Sequence, residues 1–438
     1  MATKTKTLNT QAIPGTDDVT RVQLPNGIVV LARENPHSLS VTVRGYLEAG
    51  SLFDPQEKLG LADFAADALM RGTAQRDFKA IYDTLESIGA SLGYNGGTHT
   101  TGFGGRALSE DLNLILDLLA ETLRQPAFPK PAIERLRAQF LTGLALRSQD
   151  TKEMAGMTFD EMVYRGHPYS RPEDGFPETI NAITAEDLAA YHKKHFGPRG
   201  MIVVIVGGID PQEAVDQVSA ALGDWHNPEQ PNPLELPEWL PLKTRASKRV
   251  EIPGLSQSDL VIGTAGPPRA AKDYMAAAIG NSVLGQFGLM GRVGDAVRER
   301  AGLAYYAYSS LGGGIGPGAW TVQAGVNPAN EEQAAELIFA EIQRFVDEPV
   351  SEEEISDSQS NAIGSMPLSL ESNGGVAQAL INIERHELGL DYYRNYPTLV
   401  KAVTREQIRE TAARYLQPDK LALAAAGPTR AAGPTRKD

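Results

Sequence analysis

The chain has 438 residues and a net charge of −14, too long for one ordinary domain and long enough for two or three with substantial cores. The acidic balance leaves no basic stripe to neutralise phosphates, which argues against nucleic acid as a partner. Cysteine is absent, which excludes disulfides, thiol nucleophiles and cysteine-ligated metal and says nothing of redox compartment.

In chain order, Met1 to Asp18 is polar and lacks the apolar run of a signal peptide. No stretch approaches the ~20 apolar residues of a membrane span, so no membrane association and a cytoplasmic location are the expectations. Val22–Leu24 and Ile28–Ala32 flank Pro25-Asn26-Gly27, a hairpin signal. Leu39 to Leu47 alternates toward a strand. Gly60 to Met70 has helical spacing through Leu61, Phe64, Ala65, Ala68 and Leu69. Leu112 to Leu123 is a second apolar-faced helix, stopped near Pro126.

Thr184 to Gly207 is an N-capped amphipathic helix, a proline turn and an apolar strand, and Thr404 to Gly427 repeats it at a constant offset. Thr184 corresponds to Thr404, Pro198 to Pro418 and Gly207 to Gly427. This period is too long for a solenoid and marks a duplication. Between the copies, Asn227 to Pro241 holds five prolines among polar residues and reads as an extended, semi-rigid linker rather than a packed element. The expected organisation is a first domain at 17–226, a linker at 227–246 and a homologous domain at 247–430, with loosely ordered ends at 1–15 and 429–438. The fold class is α+β, each half a mainly antiparallel sheet covered on one face by helices.

Candidates for chemistry are few. His192 and His195 could share one helix face, but no third ligand is near, and the repeat places Ala412 and Tyr415 there, which favours a structural face. His99 lies among small polar residues in a strand-like stretch, and His37, His167, His226 and His386 are isolated. Gly312 to Gly318 lies between two strands and lacks the Gly-Lys-Ser/Thr ending and following helix of a phosphate loop. Arg298 and Tyr305 flank Gly302, a residue suited to the left-handed C′ position of a helix, with a strand from Leu303 to Ser309 beyond it. From spacing alone, Arg298 reads as a helix-end cation and Tyr305 as half-buried sheet. By alternation, Tyr306 and Tyr308 point to the opposite strand face as packing residues.

Two segments carry a family resemblance. Gly60-Leu-Ala-Asp-Phe-Ala-Ala-Asp-Ala-Leu-Met-Arg-Gly-Thr73 is similar to the zinc helix of the pitrilysin and mitochondrial-processing-peptidase superfamily, where His-x-x-Glu-His stands between Gly-Leu-Ala and Gly-Thr. In register, Asp63 and Asp67 occupy the two histidine positions and Ala66 that of the catalytic Glu. Thr142 and Gly143 fall where the third ligand would be. Asn281-Ser-Val-Leu-Gly285 and Arg298-Glu-Arg-Ala-Gly-Leu-Ala-Tyr305 resemble the family segment whose Arg and Tyr bind the substrate backbone.

The resemblance implies two homologous halves packed as a clam shell, and a chain that binds no zinc and does not cleave peptides alone by the family mechanism. Two carboxylates are also too few for a dedicated hard-cation site. It further implies a non-catalytic subunit of a heterodimeric zinc peptidase, holding unfolded peptide by strand addition and lending Arg298 and Tyr305 to a zinc-bearing homologous partner, with a homodimer open to it without that partner. The alternative is a structural scaffold subunit of the same fold with no role in proteolysis.

Overall fold

A computed structural model describes residues 13–288 and 291–429. The loose order expected for 1–15 and 429–438 falls almost wholly outside these residues. The chain forms two compact units, each built on one sheet. The first sheet comprises β1 (Thr20–Gln23), β2 (Val29–Glu34), β3 (Ser40–Leu47), β4 (Ser91–Asn95), β5 (Thr101–Leu108) and β6 (Ile202–Gly207), in the order β1-β2-β6-β3-β5-β4. The second comprises β7 (Ala246–Glu251), β8 (Ser258–Ala265), β9 (Ala304–Leu311), β10 (Ala319–Val326) and β11 (Ala422–Gly427), in the order β7-β11-β8-β10-β9. Apart from β1 the two orders correspond strand for strand, and in each only one pairing, β2 with β6 and β7 with β11, is parallel. The duplication in the sequence is therefore a duplication of topology.

The helices are α1 (Leu61–Ala68), α2 (Phe78–Ser87), α3 (Leu112–Arg124), α4 (Lys130–Arg147), α5 (Thr151–Val163), α6 (Pro177–Ala182), α7 (Ala185–His195) and α8 (Pro211–Leu222). In the second half they are α9 (Tyr274–Gly285), α10 (Gly291–Val293, continuing as π-helical turns over Gly294–Arg300), α11 (Glu331–Asp347), α12 (Glu352–Ser369), α13 (Asn373–Arg385), α14 (Tyr392–Lys401) and α15 (Arg405–Tyr415). The repeated helices α7 and α15 open with matching capping boxes, Thr184 with Asp187 and Thr404 with Gln407.

The compact units are not the two contiguous halves of the sequence. Gly143–Arg171 belongs with the second-half sheet, and Ser365–Pro397 belongs with the first. Each half thereby lends one helix to the other's sheet, α5 to the second and α13 to the first. This also differs from a sheet covered on one face, because the central strands are buried on both. Every residue of β6 and β8 is buried. Under α5, Ala422, Ala424 and Ala426 of β11 meet Ala155, Phe159 and Val163. Alanine has little intrinsic preference for strands, but here its small side chain gives the crossing helix room to lie close.

The proline-rich segment is irregular, as expected, yet packed. Gln230 is buried and fixes the Arg199 backbone through Oε1 accepting from its N–H at 3.0 Å and Nε2 donating to its carbonyl at 2.9 Å. In the second unit, Trp239 Nε1 donates to the Val163 carbonyl at 2.9 Å. Side chains of the segment satisfy backbone groups at helix and strand ends, which its composition does not reveal.

Candidate functional site

Helix α1 begins at Gly60, whose φ of +93° suits only glycine without strain. Its first turn is held by Asp54, which is buried and accepts from the N–H groups of Gly60 (2.9 Å) and Ala62 (3.0 Å). These bonds favour the carboxylate, but burial outweighs them and pushes Asp54 up to about 7. Leu61, Ala62, Phe64, Ala65, Ala66 and Ala68 are buried, so Ala66 contributes only a methyl group at the position where the family needs a base.

Asp63 and Asp67 lie one turn apart and are both partly buried. Burial, then the neighbouring charge of Asp67, raises Asp63 to about 7. Burial raises Asp67 as well, with Arg71 opposing. Asp63 Oδ1 accepts from the Gly96 N–H at 3.2 Å, and a Cβ at Gly96 would meet the Asp63 Cα at 2.5 Å. The carboxylate thus anchors the β4–β5 loop to α1. That loop is held from its other side by Ser51 N–H donating to the Gly97 carbonyl at 3.0 Å.

On α4, Thr142 donates to its own helix through the Ala138 carbonyl at 2.8 Å, and Gly143 has open space where a side chain would be. Among the described residues no three His, Asp or Glu side chains gather as a metal ion would require. Neither the donor types nor their number fit the family's zinc, which takes two imidazoles and a carboxylate. His192 Nε2 lies 2.8 Å from the Leu123 carbonyl, and His195 stacks between Phe53 and Tyr191 with ring centroids 4.5 and 4.6 Å away. Both imidazoles are structural groups, His192 half-buried and His195 buried, and burial lowers His195 to about 4.

In the second unit, the π-helical turns carrying Arg298 end in a tight turn. The Gly302 N–H donates to the Arg298 carbonyl at 3.1 Å and the Leu303 N–H to the Val297 carbonyl at 3.0 Å, with Gly302 at φ +65°. The left-handed glycine is where the sequence places it. The Arg298 side chain is 39% exposed, and its ion contact among the described residues is its neighbour Glu299 at 3.7 Å.

Tyr305 is the second residue of β9, an edge strand, and is 61% exposed. The β9–β10 register slips there: Gly325 pairs with Tyr306 and Val326 with Ala304, so Tyr305 is the residue left unpaired. A bulge of this kind turns a side chain out of the regular alternation. Simple alternation across Tyr305, Tyr306 and Tyr308 therefore does not hold, although the packing role expected of the latter two does. Their rings lie 5.7 Å apart, and Lys152 of α5 sits 5.5 Å from the Tyr308 ring centroid. The Tyr306 hydroxyl and the Thr151 hydroxyl both donate to Asp259, a buried carboxylate on β8. This network ties β9 to α5, and sequence reasoning had no means to find it because α5 comes from the other half. Gly312 to Gly318 joins β9 to β10 and is pinned by Tyr164 Oη donating to the Pro317 carbonyl at 2.8 Å and by the Gly316 N–H donating to Tyr169 Oη at 3.0 Å.

The chain is similar to known proteins over most of its length. Residues 29–173 match the family model described as insulinase (peptidase family M16), and residues 182–362 match the peptidase M16 inactive domain. An uncharacterized zinc protease of Streptomyces coelicolor is 26% identical over 83% of this chain and 79% of its own length. A crystal structure of a peptidase M16 inactive domain from Pseudomonas fluorescens superposes with a TM-score of 0.85 at 26% identity, covering 94% of this chain and 99% of that one. The crystal structure of a protease from Helicobacter pylori shares the fold, with a TM-score of 0.86 at 18% identity over 95% of this chain and all of that one. With two M16 models matched in succession, the chain belongs to the pitrilysin-like M16 peptidase family, as a member whose zinc helix carries Asp63, Ala66 and Asp67 in place of the catalytic set.

Proposed function

We propose that this chain is the substrate-binding, non-catalytic subunit of a two-chain M16 zinc peptidase. The observation that carries the reading is one of contrast. The zinc helix retains its frame but holds no imidazole and no base, whereas the Arg298–Gly302–Tyr305 turn leaves both side chains accessible to solvent. An exposed guanidinium with only a sequence neighbour for a counter-ion, and an exposed phenol at a bulge on an edge strand, are poorly explained by stability. They suit a role toward a bound peptide. Arg298 would donate from its fork of N–H groups, and the Tyr305 hydroxyl would donate once, to a peptide carbonyl.

In this reading, zinc on a homologous partner supplies the activated water. The residues of this chain orient the peptide and stabilise charge developing on the scissile oxygen. Both sheets end in a strand with an unpaired side, β4 and β9, and such edges accept an extended peptide as an added strand.

The test begins with affinity capture of this chain from its own cell extract and mass spectrometry of what accompanies it. A similar-sized chain carrying His-x-x-Glu-His supports the reading; recovery of this chain alone favours a scaffold or homodimer. In the reconstituted pair, Arg298→Ala is expected to lower kcat about 10²–10³-fold, the usual cost of losing one oxyanion donor, without preventing assembly. Unchanged kinetics would remove Arg298 from the chemistry.

A further inference from the structure

A cavity of about 580 Å³ opens on the face of the first sheet that also carries α13. Its lining includes two arginines, Arg44 and Arg106, and no acidic residue, in a chain whose net charge is −14. The strand register brings these arginines together. Arg106 on β5 pairs with Thr42 on β3 and with Ser91 on β4, while Arg44 pairs with Gly104. The two cations are therefore diagonal neighbours on one face, close enough for long side chains to interact. Gly104 leaves the space between them open, and a Cβ there would meet nothing nearer than the Arg44 Cγ at 3.9 Å.

Four other arginines of this unit are neutralised by carboxylates: Arg21 by Glu384, Arg33 by Asp18, Arg76 by Glu121 and Arg124 by Asp224. Among the described residues, Arg44 has one side-chain partner, the neutral Gln378 at 3.0 Å, and no ion pair or side-chain hydrogen bond holds Arg106. Two like charges at this spacing repel one another, and an anion between them reverses the sign of that interaction. The lining hydroxyls of Ser40, Thr42 and Ser91 add donors. The rim is the start of α13, whose positive end reinforces the same preference.

We propose that this cavity receives carboxylates from a bound peptide, so that the chain selects acidic side chains in its substrate. The proposal rests on the peptide-binding reading above and gives it a specificity. Strand β4 is one of the two edge strands of this sheet, and Ser91 on it is the cross-strand neighbour of Arg106. A peptide added along β4 presents alternate side chains to the same face. Acidic residues at alternate positions then point toward Arg106 and, beyond it, Arg44.

The test uses the full chain and two short synthetic peptides of alternating Thr and Glu or alternating Thr and Gln, titrated calorimetrically at low salt. The Glu peptide is expected to bind about tenfold tighter, the scale of one charge-assisted hydrogen bond. Arg106→Gln and Arg44→Gln should each erase that preference while leaving the affinity for the Gln peptide unchanged, which also shows that the variants are folded. Equal affinities for the two peptides on the wild type overturn the acidic preference and leave peptide binding intact. If neither peptide binds, the peptide-binding reading itself falls and takes this proposal with it. Should the peptides tie while inorganic phosphate binds the wild type and not the arginine variants, the cavity is a free-anion site and the proposal is overturned.

Discussion

At Asp63 a carboxyl stands where the family places its first zinc histidine, and the fold has found another use for it. It holds the β4–β5 loop through the Gly96 N–H, at the cost of burying a charge next to Asp67. Its folded-state value near 7 lies above the ordinary 3.8. Between those two values the folded chain holds a proton that the unfolded chain has released, so stability falls as pH rises through that window and levels off above it. Asp63→Asn keeps the acceptor for Gly96 and removes the ionisation. The variant is expected to gain stability over the wild type progressively between about pH 4 and pH 7, reaching on the order of 2–4 kcal/mol at pH 8. Urea unfolding of both proteins across that range checks it. A difference independent of pH would mean that Asp63 ionises in the folded chain as it does in the unfolded one. At this scale the sequence was informative about what is missing, since the frame around Asp63, Ala66 and Asp67 is read from residue types alone. The substitute role of Asp63 was not legible, because its partner is a backbone amide brought close by a strand pairing.

Among elements, α5 has the least predictable position. Its amphipathic pattern says that it buries a face, and nothing local says against which sheet. Phe159, 2% exposed, sits on the alanine stripe of β11. Phe159→Ala is expected to cost about 3–5 kcal/mol. The loss should appear in hydrogen–deuterium exchange at β8 and β11 of the second unit, although Phe159 belongs to the first half of the sequence. Faster exchange confined to β3 and β6 would contradict the exchange of helices. Strands β2, β3, β6, β9 and β11, the repeated α7 and α15 with their caps, and the left-handed Gly302 were legible because each is determined by neighbours within a few residues, whereas β4, β5, β7 and β8 were not read from the sequence. The bulge at Tyr305 was not, since it lies in the pairing of two strands rather than in either one.

For the whole molecule, the exchange of α5 and α13 means that neither sequence half contains everything its own sheet requires. The segment 1–234 lacks α13, which covers β3 and β6, and carries α5 without the sheet it buries. Expressed alone, each half is expected to show helical far-ultraviolet circular dichroism but weak near-ultraviolet signals and exposed apolar surface. Co-expression of both halves should restore the native near-ultraviolet spectrum. A well-folded isolated first half would show that α13 is dispensable to the first sheet. The duplication in the sequence suggests two self-sufficient modules, and the structure replaces them with two modules that complete each other.

The loan of α13 also bears on the ribosome. A protein of two sequential domains usually secures the first while the second is still being made, at some 5–20 residues per second. Here β3 and β6 are finished early, yet the helix that shields them ends only at Arg385. Their apolar faces are therefore bare for roughly ten seconds or more of synthesis. The nascent chain should need a holding chaperone over that interval, and slowing elongation after Pro241 should lower its yield rather than raise it.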